Sequence, residues 1–138
     1  MKEYILKADN RRPLKFSGEL LGQSDAHSEA KLKAEVLWAA NDHKSGYAEN
    51  WTHTRLYLYR TEGEKYILHT QRFCFLEDDS KWKLEAVSGQ IDIHESLEAY
   101  VESAKKKNDS YGILTVGLLN NVVSNHPELE EFWVETID

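Results

Sequence analysis

Trp51, His53, Arg55, Tyr57 and Tyr59 recur at every second position, so on an extended strand they share one face. Aromatic rings beside a guanidinium are what a sheet uses to stack bases and contact phosphate, so this face could hold a nucleotide or a single nucleic-acid strand. The competing reading makes the same side chains the core face of a sheet, covered by the helix expected over 95–107. That reading is favoured, because a buried aromatic face requires no partner whereas an exposed one does. A net charge of −7 also weighs against nucleic acid as the main partner.

Other reactive side chains are present without the spacing that chemistry needs. Six histidines (His27, His43, His53, His69, His94 and His126) include no HxH, HxxxH or HExxH pair, and Cys74 has no CxxC partner. Structural zinc wants four converging ligands, so no metal is expected. His53 and His69 fall on the two arms of one hairpin. A three-residue loop would set them against Phe73 and Tyr57, and a two-residue loop against Arg72 and Leu56. Neither register places them opposite each other. Cys74 lies between Phe73 and Phe75 in a strand-like run, away from the turns and helix starts that activate a thiolate. Glu62/Glu64, Asp78/Asp79 and Glu130/Glu131 are paired acids in polar turns or the charged tail, with no sign of the desolvation that general acid–base work requires. No phosphate-binding glycine loop, nucleophile elbow or dinucleotide fingerprint occurs. No catalytic residue or cofactor is expected.

Charge supplies a different candidate. Residues 1–72 hold twelve Lys/Arg and ten Asp/Glu, whereas 73–138 hold five and fourteen. From Asn108 onward there are six acids and no basic residue. Glu128, Glu130, Glu131 and Glu135 thus offer an acidic surface for a basic protein partner, against the plainer alternative of a solvated, solubilising face. Met1 to Lys7 meets a charge before any apolar core builds, which argues against a signal peptide. No apolar run approaches a membrane span of ~20 residues. A single cysteine fits a reducing compartment, so the expected location is cytoplasmic.

These side chains need a frame, and 138 residues make one domain, 1–138, able to bury a core without disulfides. The strongest local signal is a β-hairpin, Trp51–Arg60 and Lys65–Phe75 around Thr61-Glu62-Gly63-Glu64. Strands are also expected at Glu3–Ala8, Leu14–Leu20 and Trp82–Val87, with Ile91 and Ile93 extending a further edge. Asp9 to Pro13 and Glu77 to Ser80 read as turns, Gln23 to Ser28 as a loop, and Gly18 as a bulge or close backbone approach. Residues 30–40 have a helical composition but a longer period-two pattern, which favours a strand. Glu95–Lys107 is the clearest helix, with Leu97, Tyr100, Val101 and Ala104 on one face and lysines in its last turn. A second helix is expected over Gly112–Ser124, and Leu129–Ile137 as a short helix or closing strand.

The run from Trp51 to His69 resembles the "W…LYRT…G…Y…H" segment of small bacterial EXLDI-type proteins. Glu95 to Tyr100 is similar to their "SLEEL" helix, and Glu135-Thr136-Ile137-Asp138 echoes their terminal motif. The resemblance implies a prokaryotic origin and a hairpin at 51–69, and brings no catalytic residue.

The sequence therefore predicts an α+β domain, an antiparallel sheet of about five or six strands packed by one or two C-terminal helices. The leading functional expectation is a non-enzymatic protein-interaction module, accessory, immunity or antitoxin-like. The alternative is a small-ligand or nucleotide-binding domain, weakly hydrolytic at most.

Overall fold

The computed structural model describes residues 1–25, 52–78, 81–106, 112–134 and 137. Five antiparallel strands form a meander in chain order: β1 (Lys2–Leu6), β2 (Leu14–Asp25), β3 (Thr52–Thr61), β4 (Tyr66–Asp78) and β5 (Lys81–His94). Helices α1 (Leu97–Lys106) and α2 (Gly112–Asn125) follow, then a 3₁₀ turn at Pro127–Phe132. The α+β expectation holds, with the helices after the strands. Trp51, Glu135, the segment 30–40 and most of the proposed 23–28 loop lie outside the described residues. No described helix is long and apolar enough to cross a membrane.

The central hairpin closes through three residues. The Thr61 amide donates to the Lys65 carbonyl at 2.8 Å, and Arg60 pairs with Tyr66. This selects the register in which His53 faces Phe73 and Tyr57 faces His69. The glycine stands one place early for this loop. Gly63 has no positive φ, and Glu64 takes the left-handed conformation instead (φ 61°), which a three-residue loop usually gives to glycine.

Two strands outrun their expected lengths. β2 continues through Gln23 to Asp25, paired with Tyr57 to Arg55, because an irregularity between Leu20 and Gly22 adds a residue and lets pairing resume. β5 runs unbroken from Lys81 to His94, so Ile91 and Ile93 belong to the same strand as Trp82 and not to a separate edge. Gly18 marks a close approach: a Cβ there would lie 2.2 Å from the Arg60 carbonyl oxygen.

The bulge around Leu21 explains two asparagines that interrupt the apolar run of α2. The Gln23 amide donates to Asn121 Oδ1 at 2.9 Å, and Asn125 Nδ2 donates to the Leu21 carbonyl at 3.2 Å. Helix α2 thus supplies bonds that the bulged ladder lacks. It reaches β2 closely because Gly22 has no side chain, where a Cβ would fall 2.8 Å from both Asn121 Oδ1 and Val122 Cγ2.

The sheet curls until its two ends meet. The Asp9 amide donates to the Gly89 carbonyl at 2.8 Å, and Asp9 Oδ2 accepts from the Gly89 amide at 2.9 Å. Asn10 repeats the pattern on Ile91, its side-chain amide donating to the carbonyl at 2.9 Å and its oxygen accepting from the amide at 3.0 Å. The turn after β1 is thereby hydrogen-bonded to β5, three strands beyond its own partner β2.

Two cores result, one on each face. Leu21, Leu56 and Leu58 pack with Leu97, Tyr100 and Val101 of α1, with Leu118, Leu119 and Val122 of α2, and with Leu129. On the inner face Leu6, Tyr59, Ile67 and Ile91 pack with Tyr4, Leu14, Phe16 and Tyr57. The aromatic face of the hairpin is therefore buried at His53 and Tyr59, but the expectation that α1 covers it is wrong. Both helices take the leucine face, whose aliphatic surface matches their own stripe, and the curl of the sheet covers the aromatic one.

Candidate functional site

A cavity of about 610 Å³ lies between the helix-facing side of β4–β5 and helix α1. Its existence follows from a change of residue type across one sheet face. On β3 that face is aliphatic, with Leu56 and Leu58. Across the ladder it becomes polar: Leu56 pairs with Thr70, which pairs with Gln90; Leu68 pairs with Asp92, and Tyr66 with His94. Helix α2 packs against β2 and β3, where the leucines are. Over the polar positions there is no aliphatic surface to close against, and a recess remains.

The cavity has a buried end and an exposed rim. Leu56 and Tyr100 are buried at 3% and 2% relative exposure, with Leu68, Ala104 and Thr115 around them. Arg72 and Gln90 are exposed, and so are Asp9 and Asn10 from the turn that reaches β5. Asp92, His94 and Ser103 are half-buried between the two. Helix α1 positions Tyr100 and Ser103; Ser96 caps its start, its Oγ accepting from the Ala99 amide at 3.0 Å. His94 meets the Tyr100 ring edge to face, with centroids 5.3 Å apart and planes at 69°. Burial pushes the Tyr100 phenol well above its ordinary range, and the neighbouring Thr115 hydroxyl opposes this only in part. Thr115 is not in bonding geometry, and the buried Tyr100 hydroxyl has no hydrogen-bond partner among the described residues.

The residues singled out in the sequence are placed elsewhere. His53 is fully buried, its Nε2 3.5 Å from Asp25 Oδ1, and Arg55 donates from Nε to the same oxygen at 3.0 Å. The Arg55 guanidinium also stacks over Phe73 at 4.9 Å. Tyr59 contacts Tyr4 and Phe16, and burial, with those neighbours' charges, pushes its phenol up to about 12. These side chains are engaged within the fold and do not present a row of open rings. What this face leaves open is a second, shallower recess of about 310 Å³, lined by Leu6, Lys7, Tyr57, Tyr59, His69 and Gln71, among others. Within it His69 is buried and bonded through Nε2 to the Lys7 carbonyl at 3.1 Å, and burial holds its pKa below 6.5.

Glu128, Glu130 and Glu131 are exposed on the 3₁₀ turn, and Glu128 lies 3.3 Å from His126. The described residues contain no group of three or more His, Cys, Asp or Glu that would hold a metal. Cys74 is in β4, paired along the backbone with Thr52 and Glu85.

Sequence reasoning passed over Thr70, Gln90, Asp92, His94 and Tyr100. The signal was there: Ser88-Gly89-Gln90-Ile91-Asp92-Ile93-His94 alternates polar and apolar residues. Alternation alone reads the polar side as the solvent side. Only the placement of α1 turns that side inward. No family model, curated protein or solved structure matches the chain.

Proposed function

We propose that this protein binds a small organic molecule in the cavity between β4–β5 and α1. The observation that carries the reading is one concave site of about 610 Å³ that joins an apolar, buried end to converging hydroxyl, amide, carboxylate and guanidinium groups. Sites of this size and mixed lining are those that take ligands, with apolar area giving affinity and a few polar groups fixing orientation. The aromatic hairpin supports this as scaffold: it holds β4 in register, and β4 carries Thr70 and Arg72 into the cavity wall.

The test is an NMR screen of the ¹⁵N-labelled protein against a chemically diverse fragment set. The expected result is that hits shift amides of Thr70, Gln90, Asp92 and Ser103 together, and that Ala104→Trp, which fills the cavity, abolishes those shifts. Hits that map only to the opposite recess around Tyr57 and His69 would overturn the assignment of the site.

A basic protein partner is the second reading, supported by three exposed acids on one turn, Glu128, Glu130 and Glu131, in a half of the chain that is strongly acidic. Its mark would be association that weakens steeply with salt and is lost on charge reversal at these three positions.

A further inference from the structure

The Tyr100 hydroxyl is a buried polar atom at the closed end of the cavity with no hydrogen-bond partner among the described residues. Buried hydroxyls are nearly always bonded, and leaving one unmade costs a protein stability, so each exception asks for a reason. Here the reason suggested by position is a group that arrives from outside. Resting on the ligand-binding reading above, we propose that the cavity selects molecules that carry a neutral hydrogen-bond acceptor, a carbonyl or a ring nitrogen, on an apolar or aromatic body, and that Tyr100 is the donor that recognises it.

The electrostatics set the neutral class. The phenol is a donor throughout the physiological range, since burial raises its pKa. An anion at this depth would lose its hydration and need a nearby cation. The cation lining the cavity, Arg72, is exposed at the rim, while Asp92 is the half-buried charge. A carboxylate would thus stay at the rim, and a carbonyl can go down to Tyr100. The buried end is shaped for a flat apolar body: Leu56, Leu68 and Ala104 line it, and His94 stands edge-on to the Tyr100 ring.

Acetophenone and ethylbenzene differ only by a carbonyl in place of a methylene, and NMR titration of both into the protein and into Tyr100→Phe forms a closed cycle. The expected result is that Tyr100→Phe weakens acetophenone by about three- to tenfold, the scale of one hydrogen bond, and ethylbenzene by less than about twofold. Without ligand the variant should melt at or above the parent, because it removes a buried hydroxyl that the fold leaves unbonded. An equal effect on both probes would show that the ring only shapes the cavity, and would overturn the proposal. So would a clear fall in melting temperature or failure to fold, which would mean that the hydroxyl serves the fold. If neither these probes nor any of the screened fragments moves a cavity amide, the binding reading itself falls and takes this one with it. Probes that bind without any dependence on Tyr100 would spare that reading and sink only the acceptor.

Discussion

The two faces of the sheet bury similar numbers of strand positions by different means. The outer face gives its leucines to α1 and α2, and where the leucines end it opens into the larger cavity. The inner face closes on itself through the curl, with rings from three strands, Tyr4, Phe16 and Tyr59, in mutual contact at 4.9–5.4 Å. A face covered by separate elements can be left incomplete, because a helix rests where apolar surface exists and bridges where it does not. A face covered by the curvature of its own sheet must fill its interior with side chains. The aromatic residues that looked most like a binding surface are thus the filling, and the plainer polar alternation on β5 lines the site.

That contrast can be broken most forcefully in the cores. Leu58 is fully buried among residues of both helices and Leu21, whereas Ile67 belongs to the smaller inner cluster. Leu58→Ala should cost about 3–5 kcal/mol and Ile67→Ala about 2–3 kcal/mol in denaturant unfolding. The reverse order would mean that the curl, and not the helix layer, dominates stability. Next comes the docking of α2 on the bulge. Asn121→Ala leaves the Gln23 amide without its acceptor, and should cost about 1–2 kcal/mol while leaving the inner-face Tyr57 and His69 resonances in place. Spread of the change to the inner face would show that the two cores are one cooperative unit.

The smallest effect belongs to His69. Its folded pKa lies below the ordinary 6.5, so between those two values the unfolded chain binds more protons than the folded one. Stability should therefore be full above about pH 6.5 and decline as the solution is acidified below it. His69→Gln should flatten that part of the profile measured by urea unfolding between pH 7.5 and 5. An unchanged slope would place the proton uptake on another group.

The hairpin was legible because its signal is local: alternation on both arms and a glycine-bearing turn give strands, and β3 and β4 follow. The helix starts and the lysine-rich end of α1 were legible for the same reason. What could not be read was the side on which the helices lie. Thr52, Thr54, Leu56, Leu58 and Arg60 form a face no more apolar in composition than its aromatic opposite, and only tertiary matching of Leu56 and Leu58 to α1 and α2 decides. The ends of β2 escaped because a bulge resets the register after Leu20, so polar Gln23 to Asp25 continue a strand that composition would end. The cavity escaped because it needs both facts at once. The acids of the 3₁₀ turn were legible as exposed charge and as nothing more.

The hold of Asp9 and Asn10 on β5 has one more consequence, for encounters between copies of the chain. A long strand at the end of a sheet offers a row of amides and carbonyls on which another molecule's strand can grow. At Gly89 and Ile91 those groups are already taken, two of the four bonds being supplied by an asparagine side chain that extends no strand of its own. An incoming strand would find its first footholds occupied, and the cavity rim that shares these residues stays open to small molecules while remaining closed to sheet growth.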